Sequence, residues 1–297
     1  MNLVIVGGTG SLGRAILRQQ DFLKHAGIDR IRVISRDESK QVSVEKNYFG
    51  TIPLDCYLGD ASDHGRMQFA LRDANYVIHA AAQKRIDKFE KDIPQGYRTN
   101  ILGTHAVAEG FYKSKYAIAG ILVSTDKACL PTTAYGVSKL AAEHLFLWYN
   151  EFQKRVAFRV CRFGNVFGSR GSVLEAWTEM AINRRPLPVT NIHCTRYFMR
   201  MNEAARFVLM NLFYPAKRIA IPTMKSIEMV TVAKVVWKYH NPGQSFEFTV
   251  TGMRGNEKLH EVMEGDDSSE LAERFTEEEL TTMYADWYLN EYRQQAR

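Results

Sequence analysis

The sequence predicts an α/β fold built on a doubly wound parallel sheet, and three observations carry that prediction. Apolar runs of strand length recur through the first two-thirds of the chain, polar-rich segments of helix length separate them, and the first run feeds a glycine-rich turn. Strands that read as unbroken apolar runs are buried on both faces, as in a parallel sheet covered by helices. The alternation of strand and helix gives a doubly wound order. The predicted strands are Leu3–Val6, Ile31–Ile34, Ile52–Leu58, Tyr76–Ala80, Ile118–Val123 and Val156–Phe163. The predicted helices between the first of them are Leu12–Lys24, Asp37–Phe49 and Ser62–Arg72.

After Phe163 the alternation weakens. Gly164–Gly171 reads as a loop and Ser172–Asn183 as a helix capped by Ser172, broken by Arg185-Pro186-Leu187-Pro188. Helical periodicity returns at Asn202–Phe213 and Val230–Tyr239, strand patterns at Arg218–Ile221 and Phe246–Val250. Ser268–Tyr292 reads as a helix with Thr276 as a local N-cap before three glutamates. These features divide the chain into a large domain over residues 1–165 and a smaller α/β C-terminal lobe over 166–297 that ends in an acidic helical tail. Some exchange of chain between the two is expected.

Composition sets outer limits. The 297 residues allow one large or two modest domains, and 45% hydrophobic content supports a sizeable core. No apolar run reaches the ~20 residues that cross a bilayer, and no export signal opens the chain, so a cytoplasmic protein with no membrane partner is expected. Cys56, Cys129, Cys161 and Cys194 are scattered and form no metal-ligand spacing. The net charge of +6 is uneven: residues 257–297 carry −8, leaving +14 on residues 1–256. A basic body suits a polyanionic small ligand such as a nucleotide; it also suits RNA, or a plain solvated surface.

The first strand and its turn read Val4-Ile5-Val6-Gly7-Gly8-Thr9-Gly10-Ser11-Leu12-Gly13. Glycines spaced in this way after a buried strand let the backbone turn sharply and approach a pyrophosphate, with helix N–H groups facing it. This makes the sheet one of Rossmann type and makes Gly7, Thr9, Gly10, Ser11, Leu12 and Gly13 candidate dinucleotide contacts. The second strand ends Ser35-Arg36-Asp37, about twenty residues past the turn, where an acid would favour NAD. Ser35, Arg36 and Lys40 suit a 2′-phosphate and favour NADP, while Asp37 keeps NAD open. Asp60, beside Ala61, reads either as an acceptor for an adenine amine or as an N-cap of the next helix. Ala80, Ala81 and Ala82 read either as a small-residue bed for the cofactor or as core. Lys84 and Asn100 complete the cofactor set.

The densest chemistry lies in Ser124-Thr125-Asp126-Lys127 and Tyr135-Gly136-Val137-Ser138-Lys139. Tyr135 and Lys139 share a helix face. A neighbouring ammonium lowers a phenol's pKa, so Tyr135 can accept a hydroxyl proton while hydride leaves the carbon. Together with the glycine turn, these residues resemble the extended short-chain dehydrogenase/reductase superfamily. Asp126 and Lys127 add a carboxylic acid and an amine, which suit removal of a carbon-bound proton and protonation of a leaving hydroxyl, with Thr125 as the hydroxyl residue. Read alone, they are also compatible with a surface ion pair.

The segments Phe163–Val173, Ser35-Arg36-Asp37-Glu38, Ala80-Ala81-Ala82-Gln83-Lys84, Thr195-Arg196-Tyr197-Phe198-Met199 and Gly255-Asn256-Glu257-Lys258-Leu259-His260-Glu261 are similar to those of the UDP-N-acetylglucosamine 4,6-dehydratases of the polysaccharide-biosynthesis family. That resemblance implies Thr125, Asp126, Lys127, Tyr135 and Lys139 as catalytic residues. It implies Lys84, Asn165, Ser169, Arg170, Gly171, Ser172, Thr190, Arg196, Arg254 and Glu257 as nucleotide-sugar contacts, with Arg196 and Arg254 toward a diphosphate and Glu257 toward ribose hydroxyls. It further implies a UDP-sugar substrate, no nucleic-acid partner, C5 inversion and a homo-oligomer, dimer or hexamer. Two motifs depart from the family: Arg254-Gly255-Asn256-Glu257-Lys258 lacks a proline, and Lys84-Arg85-Ile86-Asp87 replaces Lys-His-Val-Pro. The rival expectations are a UDP-sugar 4-epimerase and a non-enzymatic NADPH-sensing or RNA-binding relative.

Overall fold

The computed structural model describes residues 1–214 and 217–293. Two compact units emerge: Met1–Arg162 with Asn202–Pro222, and Phe163–Met201 with the chain from Thr223 onward. The first unit runs β1 (Asn2–Val6), α1 (Ser11–Leu17), α2 (Gln20–His25), β2 (Arg30–Ser35), α3 (Glu38–Lys46), β3 (Leu54–Leu58), α4 (His64–Leu71), β4 (Tyr76–His79), α5 (Ile86–Phe89), α6 (Ile93–Tyr97), α7 (Gly103–Lys113), β5 (Ala119–Thr125), α8 (Ala134–Phe152) and β6 (Ala157–Phe163). A π-helical turn, Arg98–Leu102, joins α6 to α7, and a 3-10 turn, Asp126–Ala128, follows β5. Next come β7 (Asn165–Val166), α9 (Val173–Ile182), β8 (Leu187–Val189) and β9 (Thr195–Met199). The chain returns to the first unit with α10 (Met201–Phe213) and β10 (Ile219–Ala220). It ends in the second with β11 (Lys225–Glu228), α11 (Met229–His240), β12 (Phe248–Val250), β13 (Val262–Glu264), β14 (Asp267–Ser268) and α12 (Glu277–Trp287).

The main sheet has seven strands in the order β3-β2-β1-β4-β5-β6-β10. The pairs β1–β2, β2–β3, β1–β4, β4–β5 and β6–β10 all run parallel, as the unbroken apolar runs predict. Leu3, Val4, Ile5, Ile31, Val33, Val77 and Ile121 are sealed from solvent. Strand order reverses between β1 and β4, so the loops after these two strands meet at the switch point where such sheets bind ligands.

Several elements differ from expectation for identifiable reasons. The Leu12–Lys24 segment is two helices, because Gln19 leaves helical geometry (ψ 46°) and the Gln20 side chain takes the freed Leu17 carbonyl at 2.6 Å. β3 starts only after Pro53, which has no N–H to donate, although its carbonyl still accepts from Ile31 at 2.9 Å. Asp63, not Asp60, caps α4 through Arg66 N at 2.9 Å. Ser172 occupies the N-cap position of α9 without a side-chain cap bond.

The second unit holds the small sheets β11-β9-β7, β12-β8 and β13-β14 around a core that includes Trp177, Trp237, Tyr284 and Trp287. The tail is helical only from Glu277. Residues before it run along β11, where Ser226 N donates to Glu273 O at 2.8 Å and Phe275 N to Ser226 O at 3.0 Å. Thr276 then caps α12 in a reciprocal capping box with Glu279. Part of the tail's acidity is met locally: Glu277 bonds Lys234 at 2.8 Å and Lys238 at 2.9 Å, both on α11. Among the described residues, no helix is long and apolar enough to cross a membrane.

Candidate active site

The glycine turn leaves β1 with Gly7 N bonded to Ile34 O at 2.8 Å and Gly10 N to Gly7 O at 3.0 Å. Gly7 sits at φ +87°, and a Cβ there would lie 2.6 Å from Ala81 N, so a side chain is excluded both by conformation and by the loop after β4. Ala80 and Ala81 are therefore the wall against which the turn packs, and Thr9 of the turn is buried. Ser11, Leu12 and Gly13 open α1, which has no acidic residue in its first turn.

At the end of β2 the polar residues divide their work. Asp37 caps α3 through Lys40 N at 3.0 Å and pairs with Lys40 Nζ at 2.6 Å, and these bonds hold its carboxyl below the usual range. Ser35 Oγ accepts from the Gln41 amide at 3.0 Å. Arg36 is mostly exposed, with Asp60 Oδ2 3.5 Å away. Asp60 Oδ1 closes a turn by accepting from Ser62 N and Ser62 Oγ, each at 2.8 Å. Ala61 is buried behind it.

The catalytic candidates gather where β5 ends and α8 begins. Asp126 is fully buried; its Oδ1 accepts from Thr125 Oγ1 at 2.8 Å and from Lys127 Nζ at 3.0 Å, while Oδ2 has no hydrogen-bond partner among the described residues. Such an orphaned oxygen stands out, because buried polar groups are nearly always paired. Thr133 caps α8 by accepting from Gly136 N at 3.0 Å. Tyr135 and Lys139 follow one turn apart, both buried, with Tyr135 edge-on to Phe89 at 5.8 Å between centroids. Lys139 Nζ donates to Val123 O at 2.7 Å. Burial pulls the Lys139 ammonium down to about 8, against the opposing pull of Glu143.

The sequence reading missed several supports of this cluster. A Cβ on Gly136 would lie 2.4 Å from Lys127 O, so glycine lets α8 seat directly on the Asp126–Ala128 turn. Asn100, assigned to the cofactor from sequence, acts locally as a brace. Its Oδ1 accepts from Gln83 N at 2.8 Å, and its Nδ2 donates to Gln83 O at 3.2 Å and Ser138 Oγ at 2.9 Å. Ser138 Oγ in turn donates to Tyr135 O at 2.7 Å. Asn100 sits in the π-helical turn, a distortion common at functional sites. Lys84 lies one residue past the braced Gln83. Glu143 was also missed, although its spacing, four residues past Lys139, continues the Tyr135–Lys139 face.

In the second unit, Thr190, Arg196 and Glu257 come together. Glu257 Oε1 lies 3.0 Å from an Arg196 terminal nitrogen and 3.4 Å from Thr190 Oγ1. The rest of the Arg196 guanidinium is committed to the protein: Thr195 O at 2.7 Å, Lys258 O at 2.9 Å and Leu259 O at 3.1 Å. Its geometry is that of a clamp on the Glu257–Glu261 segment. Arg254 is exposed one turn before Glu257. Asn165 pairs in β7 with Phe198, and the Ser169–Ser172 turn closes through Ser172 N to Ser169 O at 3.0 Å. Gly171 N donates to Glu175 at 2.7 Å, and Arg170 lies in the same turn. Trp287 of α12 supports this loop from below, its indole N–H reaching Gly168 O at 3.2 Å.

With this geometry in place, comparison with known proteins is decisive for the family. Residues 3–282 match the family model described as polysaccharide biosynthesis protein. The chain belongs to that family. A UDP-N-acetylglucosamine 4,6-dehydratase (inverting) from Campylobacter jejuni is 34% identical over 280 residues, covering 92% of this chain and 80% of the relative. A UDP-glucose 4-epimerase from Rickettsia bellii is 32% identical over 277 residues, covering 91% of this chain and 80% of its own. The solved structure of Pen from Bacillus thuringiensis superposes with a TM-score of 0.86 at 25% identity, covering 97% of this chain and 98% of Pen. The Rossmann-type fold and the family resemblance read from the motifs are both borne out.

Proposed function

We propose that this chain is a cytoplasmic nucleotide-sugar 4,6-dehydratase that uses NADP and acts on UDP-N-acetylglucosamine, inverting C5, for surface glycan synthesis. The observation that carries the reading is the Asp126–Lys127 pair placed at the end of β5 beside the Tyr135–Lys139 helix. Oxidation and reduction of one hydroxyl need only Tyr135, Lys139 and Thr125; loss of water needs a further base and acid.

The cofactor site fits NADP. Gly7 packs directly on the Ala80–Ala81 wall, while a Cβ at Gly10 would meet nothing nearer than Gly7 O at 3.3 Å, which leaves the turn open there to a pyrophosphate. Asp37, the acid that would bind a 2′-hydroxyl, is tied to Lys40, while Arg36 is mostly exposed to meet a 2′-phosphate. When bound, NADP+ supplies the hydride acceptor for oxidation at C4 and the hydride returned at C6. Tyr135 takes the C4 hydroxyl proton, with Lys139 holding positive charge beside it. The C4 ketone acidifies H5, and Lys127 removes that proton. Asp126 passes a proton to the departing 6-hydroxyl, which leaves as water, and C5 is then reprotonated from solvent. In the second unit, Asn165, Ser169, Arg170, Ser172 and Arg254 hold the nucleotide diphosphate, and Glu257 takes ribose hydroxyls with Arg196 and Thr190 steadying it. A homo-oligomer, dimer or hexamer, accompanies this reading.

Mass spectrometry of the product from UDP-N-acetylglucosamine tests it. A dehydratase product is lighter by one water and carries solvent deuterium at C5 when formed in D2O. The second reading, a UDP-sugar 4-epimerase, is favoured by the Rickettsia bellii relative and leaves the mass unchanged. Absence of both water loss and C5 exchange with every UDP-hexose tried would sink the dehydratase assignment.

A further inference from the structure

The Tyr135–Lys139 face of α8 does not end at Lys139. One turn on, Glu143 is buried and accepts from Ser124 Oγ at 2.5 Å. Arg162, at the end of β6, clasps the same carboxylate through Nε at 3.1 Å and a terminal nitrogen at 2.6 Å. Lys139 Nζ bonds Val123 O, the residue before Ser124. Lys139 and Glu143 thus grip consecutive residues of β5, directly ahead of Thr125, Asp126 and Lys127. A buried carboxylate is costly unless paired and hydrogen-bonded, and this one is both.

We propose that Glu143 is a positioning residue for the reaction: it keeps Lys139 in its ammonium form and fixes the end of β5 through Ser124. This inference rests on the dehydratase reading for its catalytic meaning, but its electrostatic content stands on the Ser124–Glu143–Arg162 geometry alone.

The charges around Lys139 set the sign of the effect. On its own helix are Tyr135 and Glu143. His79 faces it from β4, Asp126 and Lys127 come from the turn after β5, and Arg162 comes from β6. Glu90, after α5, caps Ala134 N at the start of α8, and α7 meets α8 further along through His105 and Tyr149. His79 is neutral at physiological pH because burial pushes its imidazole down to about 3. Glu143 opposes the desolvation of Lys139, and Arg162 offsets part of Glu143. Removing the carboxylate charge takes away the group that opposes the desolvation of Lys139, so the ammonium loses its proton more easily. Removing Arg162 does the reverse.

The test titrates Lys139 in the NADP+-bound protein carrying 13C,15N-labelled lysine, with its signal assigned by its absence from Lys139→Arg. Glu143→Gln, which keeps an oxygen for Ser124, should lower the Lys139 midpoint by about one pH unit or more, a tenfold or greater change in the protonated fraction above it. Glu143→Asp should restore most of the shift. Arg162→Gln should move the midpoint upward, which keeps the proposal testable if Glu143→Gln does not fold. Midpoints that coincide with the wild type, or that move the same way in both variants, overturn the proposal. Rate profiles for UDP-N-acetylglucosamine on the same proteins should show the alkaline limb moving with the midpoint. A wild type that makes no lighter product would refute the dehydratase reading and leave the titration as the judge of Glu143.

Discussion

Lys127 Nζ stands 3.0 Å from Oδ1 of Asp126, a carboxyl with no solvent exposure, at the end of the fifth strand. The pair is sequence-adjacent and is held by a 3-10 turn capped by Thr125. In the proposed reaction they act in succession, and substitution should separate their roles. Lys127→Ala should slow water loss by about 10²–10⁴-fold and abolish C5 deuterium exchange while leaving NADP+ affinity unchanged. Asp126→Asn should retain C5 exchange and lose elimination. Product mass and proton NMR in D2O report both, and undiminished water loss in Lys127→Ala would remove it from the mechanism.

Gly136 is the steric hinge between that turn and the helix carrying Tyr135. Adding a methyl places carbon 2.4 Å from Lys127 O and 3.0 Å from the Pro131 ring. The backbone oxygen cannot rotate away, so α8 must shift. Gly136→Ala should destabilise the first unit by about 1–3 kcal/mol and reduce turnover more than NADP+ affinity. Thermal unfolding and initial rates measure this; a variant with wild-type turnover would show that the turn accommodates the methyl.

His79 makes acid stability a readout of the buried network under the site. Its Nε2 lies 3.2 Å from Thr104 Oγ1, which itself donates to Asn100 O at 2.6 Å. The imidazole therefore serves as the donor to Thr104, leaving Nδ1 buried without a partner among the described residues. Burial pushes its folded-state pKa down to about 3, from 6.5. Between these values the unfolded chain binds a proton that the folded chain refuses. Stability from this residue therefore falls as pH drops through that window, by roughly tenfold in the folding constant per pH unit. His79→Gln should flatten this part of the slope in urea unfolding compared at pH 7 and pH 5. An unchanged slope would mean that the imidazole gains a proton in place.

What could be read from the chain follows from what each segment must satisfy locally. Six of the seven strands of the main sheet, β1 to β6, were legible because burial on both faces makes them unbroken apolar runs, Val4-Ile5-Val6 being the clearest. Tyr135 and Lys139 were legible because a helix face repeats every four residues. The short strands of the second unit were not: β8 contains Pro188, and β9 contains Arg196, whose charge is met by Glu257 and Glu261 some sixty residues away. The tail before Glu277 looked helical from its acids and leucine, but pairing with β11 decides its conformation. Glu143 was missed because its partners, Ser124 and Arg162, lie on two different strands.

The end of β2 decides between the two nicotinamide dinucleotides. Asp37 is occupied by Lys40, whereas Arg36 is mostly exposed and its ion pair among the described residues is a 3.5 Å contact with Asp60. Arg36→Ala should weaken NADP+ by about 10–100-fold, the range expected for hydrogen bonds to a charged group, and leave NAD+ nearly unaffected. Calorimetric titration of both cofactors measures the ratio. Equal losses for the two would assign Arg36 to general electrostatics, and preference for NAD+ in the wild type would overturn the NADP reading.

Trp287 links the acidic tail to the proposed nucleotide-sugar loop. Its ring centroid lies 6.4 Å from that of Phe167, nearly perpendicular, and its N–H bonds Gly168 O. Gly168 sits at φ +68° with the indole against it, and a Cβ there would fall 2.1 Å from the ring. Thus the tail helix shapes the loop containing Asn165, Ser169 and Arg170, whichever ligand that loop takes. Trp287→Ala should cost about 3–5 kcal/mol of the second unit's stability and weaken UDP binding, while NADP+ affinity stays near wild type because its proposed contacts all lie in the first unit. Paired titrations of UDP and NADP+ on the folded variant, at a temperature below its unfolding transition, make the comparison. Equal loss of both ligands would show that Trp287 supports the whole chain; loss of UDP alone assigns the tail to the substrate side.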